Sequence, residues 1–261
     1  MIKRLLTVPI VVVVAVIQLF AFTAQADENY FGYTYGSEIL PKGHAEIYQW
    51  MTARTGKGQG SYRALDLQTE FEYGFADRIQ GSFYLNASNH NIAGVTEFTD
   101  HSRFRWNGLQ ASVKYSAMSP YKDGVGLAFY LEPGYKRYNQ NSGDRTDTFF
   151  LEPKIIVEKH FLDDTVVWAT NFSGEFEREH NLEKTAWESE LELQASTGLS
   201  YRFVQNWYAG IEALGTSSFE HMHLDALGEY AIFAGPNLHY ANRRWWATLT
   251  VFPQLTGWPE T

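Results

Sequence analysis

Two kinds of side chain in this sequence are spaced so that they could do chemistry: carboxylates and imidazoles. In Leu65-Asp66-Leu67-Gln68-Thr69-Glu70-Phe71-Glu72-Tyr73 the acids fall at alternate positions, and Glu190-Leu191-Glu192-Leu193-Gln194 repeats the pattern. On an extended chain such residues share one face. The same register collects Glu46, Asp66, Glu70, Glu72, Glu132, Glu152, Glu158, Glu175, Glu190, Glu192 and Glu212, against the bases Lys114, Lys154 and Arg202. Carboxylates crowded in a narrow space repel by a few kcal/mol per close pair at an effective dielectric near 20, so they draw in cations. The imidazoles give a weaker signal: Asp100 with His101, then His180, then the run His221-Met222-His223-Leu224-Asp225. Alternate positions of that run could ligate a metal or exchange protons. No serine nucleophile motif accompanies them, so neither catalysis nor a metal or other cofactor is expected. Thr55-Gly56-Lys57-Gly58-Gln59-Gly60-Ser61 is rich in glycine, but it lacks phosphate-loop spacing and leads into a strand rather than a helix.

The elements that position the acids are strands. Opposite the acids of the first stretch stand Leu65, Leu67, Phe71 and Tyr73, continued after a turn by Ile79, Phe83, Leu85 and Ala87. Strict alternation of this kind marks strands with two unlike faces. It predicts eleven strands, near 44–53, 65–73, 79–88, 109–115, 125–132, 149–161, 165–176, 188–203, 207–216, 230–241 and 245–255. The connections alternate between mostly short ones (74–78, 117–124, 162–164, 204–206, 242–244) and longer polar ones (54–61, 90–107, 138–147, 177–187, 217–229). Such a rhythm belongs to an antiparallel up-and-down transmembrane β-barrel, with its first strand running outward. Near the short turns lie Tyr73, Phe75, Tyr115, Tyr121, Phe161, Trp168, Tyr201, Phe203, Trp207, Tyr240, Trp245 and Trp246, as an interfacial aromatic belt would require. Pro133, Pro153, Pro236 and Pro253 fall inside strands, where a missing N–H predicts bulges or strand ends.

The N-terminus reads as an export signal over 1–26: Lys3 and Arg4, an apolar run from Leu5 to Phe22, then Ala24-Gln25-Ala26 as a small-residue cleavage pattern. Residues 27–42 are then expected as a periplasmic N-terminal segment and 43–261 as the barrel domain. The net charge of −9, more negative still once Lys3 and Arg4 are removed, argues against nucleic acid as a partner. The chain has no cysteine, so no disulfide contributes to its stability. An odd number of strands leaves the last one ending outward, whereas closed bacterial barrels use an even count. A twelfth, returning strand is therefore expected in a complete chain, and an open seam in this one.

Tyr30-Phe31-Gly32-Tyr33-Thr34-Tyr35, Leu40-Pro41-Lys42-Gly43 and Glu46-Ile47-Tyr48-Gln49-Trp50, with the acidic alternation after them, resemble an uncharacterised family of bacterial outer-membrane β-barrel proteins. The resemblance implies a place in the outer membrane and no particular activity. Alternation with aqueous acid inside and lipid outside points to a passive, porin-like channel for small cationic or neutral solutes, with outer-membrane lipid as its surroundings. Two alternatives stand beside it: a non-conducting structural barrel with a charge-filled lumen, and a hydrolase using histidines at the rim.

Overall fold

A computed structural model describes residues 11–21, 29–181, 187–242 and 245–258. Most of the expected leader, including its cleavage pattern, lies outside the described residues. The strands run β1 (Val11–Ala21), β2 (Ala45–Thr55), β3 (Ser61–Ala76), β4 (Ile79–Ala93), β5 (His101–Met118), β6 (Gly126–Tyr138), β7 (Arg145–Phe161), β8 (Val166–Asn181), β9 (Trp187–Val204), β10 (Trp207–Glu220), β11 (Leu227–Ala241) and β12 (Trp246–Trp258). A single helical turn, α1 (Pro120–Asp123), interrupts the connection from β5 to β6. From β2 to β12 each strand pairs antiparallel with the next. These eleven strands form one up-and-down sheet curled into an open half-barrel. Across its seam lies β1, antiparallel to β12 on one side and to β2 on the other. The seam expected to be open is thus spanned by residues expected to belong to the leader.

The curl turns the usual polarity of a protein inside out. Phe71, Phe83, Val113, Leu131, Ile155, Phe172, Leu199 and Leu249 are exposed on the convex face, while Glu70 and Glu212 are each only 1% exposed on the concave one. Among the described residues no single apolar centre forms; most buried apolar groups gather in four small clusters on the concave side. Through the middle of β3, β4, β6 and β7 the strands follow the alternation read from the sequence, with the apolar parity outward.

Three expectations need correction. Several strands run further than predicted, so the polar connections shrink: the one expected at 90–107 is 94–100, and the one at 217–229 is 221–226. Near the ends of β8 and β9 both faces carry polar groups, as in Glu177-Arg178-Glu179, and the alternation loses its contrast although the ladder continues. The four prolines do not sit at bulges or strand ends. Pro133 and Pro153 lie mid-strand, each paired on one side, where the neighbouring β5–β6 and β7–β8 ladders skip residues 132–133 and 152–153, as a residue without an N–H dictates. Trp246 is not in an outer belt: it is 1% exposed and packs inward on Tyr48, Trp50, Ala241 and Phe252. Consecutive strand residues face opposite ways, so only Trp245 of that pair faces out.

Candidate functional site: a lumen corked by the N-terminal segment

All eleven predicted acids lie on the inner wall, and seven of them (Glu46, Glu70, Glu72, Glu132, Glu152, Glu158 and Glu212) are fully buried, while Asp66, Glu175, Glu190 and Glu192 are partly open to the remaining space. Lys114 and Lys154 are inside with them. Arg202 is at the rim, donating to the Asp163 carbonyl and the Thr165 hydroxyl at 3.3 Å each. The structure adds a cation and two acids that the shortened strand predictions missed: Lys136 binds Glu175 at 2.6 Å and Glu177 at 2.9 Å, and Glu179 accepts from Thr148. Further pairs are Arg54 with Asp66 at 2.6 Å and Lys154 with Glu152 at 3.3 Å. Acid outnumbers base on this wall, yet much of it is tied into hydrogen bonds: Trp50 Nε1 donates to Glu70 at 2.6 Å, Tyr48 to Glu46, Tyr130 to Glu132, and Gln110 to Glu132 at 3.0 Å.

The larger surprise is what fills the space. Residues 29–41, expected as part of a periplasmic segment, lie in the concavity of the half-barrel and are held there by the acids. The Glu212 carboxylate accepts three successive backbone N–H groups, from Gly32 at 3.0 Å, Tyr33 at 2.9 Å and Thr34 at 2.6 Å, and the Thr250 hydroxyl at 3.1 Å. Glu158 accepts the Ser37 N–H and hydroxyl at 2.6 and 2.8 Å. Asn171 both accepts from the Tyr35 N–H and donates to its carbonyl, and Gln80 receives the Leu40 N–H. A segment without secondary structure has its backbone polar groups satisfied by wall side chains, as burial requires. Its rings fill recesses of the wall: Phe31 among Val167, Ala169 and Tyr208, and Tyr35 stacked on Trp50 with the Lys154 ammonium 4.2 Å from the centre of its ring.

Burial holds the Tyr33 and Tyr35 hydroxyls well above the usual phenol range, reinforced by Glu152 for the first and Glu70 for the second. Both remain protonated donors, and Tyr33 donates to Gln194 at 2.5 Å. Burial likewise raises the Glu38 carboxyl, against the opposing hydrogen bond from Ser119.

A sequence signal for this cork existed. A Cβ on Gly126 of β6 would overlap the Ser37 hydroxyl, and one on Gly198 of β9 would overlap the Phe31 ring. Glycine inside a strand marks a close approach by another group, and here that group is the cork.

Above the cork a cavity of ≈ 230 Å³ remains, lined by Tyr33, Tyr35, Trp50, Asp66, Gln68, Asn86, Gln110, Glu132, Lys136, Glu152, Glu175 and Gln194 among others. On its far side the turn 139–144 folds inward: Arg54 donates to the Gln140 carbonyl at 2.8 Å and Tyr62 to the Asn141 carbonyl at 2.9 Å. The interior is narrowed at both ends.

His180, His221 and His223 do not come together as a metal centre. His221 and His223 sit in the exposed turn after β10, and no group of three or more metal-ligating side chains forms among the described residues. His180, at the end of β8, stacks on Trp187.

On the convex face, aromatics mark both ends. Tyr73, Phe75, Tyr115, Phe161, Tyr201, Phe203 and Trp207 are exposed near the short turns, and Phe104, Trp106, Phe149, Trp187, Tyr230 and Trp258 near the opposite ends of their strands. The second group was not singled out from the sequence. Residues 23–261 match a family described only as a family of unknown function (DUF6662). No curated protein matches the chain.

Proposed function

The chain belongs to this family of unknown function, and from that premise we propose that it is an exported outer-membrane β-barrel whose acidic lumen passes small cationic or neutral solutes when its N-terminal cork yields. The observation that carries the proposal is the inverted polarity of the sheet together with what occupies its middle. Oil is the surrounding that makes exposed Leu131 and Phe83 favourable, and two aromatic bands at the strand ends fit two membrane interfaces. A lumen coated with acid favours cations. The cork and the inturned 139–144 turn make the resting state closed, so flow requires local release rather than an open bore.

A permanently filled, non-conducting barrel is the second reading, and the hydrogen bonds holding residues 29–41 favour it. Conductance in planar bilayers separates the two. The full chain should give rare, brief openings, and a chain lacking residues 29–41 frequent ones, with a cation-selective reversal potential under a salt gradient. A folded deletion variant that carries no current supports the filled barrel, and anion preference refutes the acidic filter. Folding is checked by a shift in gel mobility between boiled and unboiled samples.

A further inference from the structure

His90 on β4 and His101 on β5 are drawn together on the inner wall. In β5 the pairing with β4 passes from Asn86–Gly108 to Ala87–Trp106, leaving Asn107 unpaired, and this bulge reverses the facing of every residue before it. Gly108 holds φ at +120°, and Asn107 turns its side-chain oxygen to the N–H groups of Arg137 and Tyr138. Phe104 and Trp106 consequently face out, and His101 faces the interior beside His90, their ring centroids 6.1 Å apart.

The hydrogen bonds of the two rings fix where their protons are. His90 Nε2 lies 3.0 Å from the Gln140 carbonyl, and His101 Nδ1 lies 2.9 Å from the Thr99 carbonyl. A carbonyl oxygen only accepts, so each of these nitrogens carries a proton, and in the neutral ring the opposite nitrogen carries a lone pair. Those opposite atoms, His90 Nδ1 and His101 Nε2, are both buried without a hydrogen-bond partner among the described residues. His90 itself is 0% exposed. Both nitrogens border the space beside Gly143: a Cβ built on that glycine would stand 2.8 Å from His101 Nε2, 2.9 Å from His90 Cγ and 3.0 Å from His90 Nδ1. Residue 143 can leave that volume free because it is glycine, with φ at +69°.

We propose that His90 and His101 form a two-imidazole site for a late first-row divalent ion, Zn²⁺ or Cu²⁺, beneath the 139–144 turn. The arrangement has the parts such a site needs. Two buried ring nitrogens without a partner among the described residues lie on adjacent rings, and each ring's other N–H is held by a backbone carbonyl, the outer bond that orients metal-binding imidazoles. Water completes the coordination. Arg54 and Arg105 reach the same turn, through the Gln140 and Gly143 carbonyls. Their positive charge, offset in part by Asp66 on Arg54, disfavours hard ions held by charge alone. Imidazole donors suit zinc and copper, whereas calcium and magnesium need oxygen cages.

The test uses tag-free protein refolded in detergent, titrated with Zn²⁺ by calorimetry and with Cu²⁺ by electron paramagnetic resonance. One ion per chain is expected, with nitrogen hyperfine structure from two imidazoles. His101→Gln, at a partly exposed position, should weaken binding by more than about 10-fold, the lower end of what loss of an outer-shell partner alone costs. His90→Gln should do the same, and Gly143→Ala, whose Cβ would press on both rings, should block the site. The double variant His221→Gln/His223→Gln should bind as the parent does. Absence of one-to-one binding, unchanged affinity in His101→Gln, or loss of binding in the His221/His223 variant would each overturn the assignment.

Discussion

Replacing Glu212 by Gln tests the cork with the least change in shape. The carboxylate receives three consecutive amides and one hydroxyl in a site that is 1% exposed. Hydrogen bonds to a charged group contribute about 1.5–3 kcal/mol each, and neutral ones about 0.5–1.5 kcal/mol. Neutralisation thus removes roughly 1 kcal/mol per bond, and the new amide N–H₂ must face either the Gly32 N–H, which keeps the Thr250 hydroxyl at 3.1 Å as its acceptor, or the Tyr33 and Thr34 N–H groups. The docking of residues 32–34 should weaken by about 3 kcal/mol, which is roughly a hundred-fold in the released fraction at about 1.4 kcal/mol per factor of ten. Hydrogen exchange at the Gly32, Tyr33 and Thr34 amides reads that fraction directly, because these amides exchange by local opening of the segment. Protection should fall roughly a hundred-fold while amides in the middle of β9 and β10 keep theirs. Unchanged protection at all three amides, in a variant with parental gel mobility, would refute the assignment of Glu212 as the anchor.

Gly198→Leu should expel Phe31 from its recess and raise the opening frequency in bilayers; unaltered gating would show that the cork does not control flow. Leu131→Arg places a charge on the convex face and should cost about 2–4 kcal/mol if that position lies near the bilayer midplane. It is measured from the denaturant midpoint in lipid vesicles, and a neutral result would argue against lipid on that side. The Glu38 carboxyl is raised in the docked state, so its contribution to docking is complete below its value in the released segment and is lost as pH rises through the docked value. Hydrogen exchange of the segment should therefore speed up with rising pH beyond the intrinsic rate increase, and Glu38→Gln should abolish the excess.

How much of this was legible in sequence depends on distance along the chain. The parity rule is local, so Glu70, Glu72, Glu132, Glu152 and Glu212 could be assigned to one face, and Phe71 and Leu131 to the other, from their neighbours alone. The same rule failed where both surroundings are polar. Glu177 and Glu179 were left in a loop and the partner of Glu175, Lys136, was not singled out, because amphipathic contrast, not strand geometry, is what the pattern measures.

The sequence by itself determined that the chain folds as antiparallel strands with acid on one face and apolar groups on the other, since a period of two is a property of the backbone. Only the tertiary structure decided what the acids bind. Glu212 meets Gly32 across 180 residues, and no periodicity encodes which distant segment will satisfy a buried carboxylate. The bulge at Asn107 is the same lesson on a smaller scale: one unpaired residue reverses the facing of the β5 residues that precede it, and although Gly108 at φ +120° marks the place, the apolar alternation does not show the reversal. Side-chain direction follows from the chain's own geometry, whereas the choice of partner follows from the free energy of burying polar groups together, which is settled only when the whole sheet has curled.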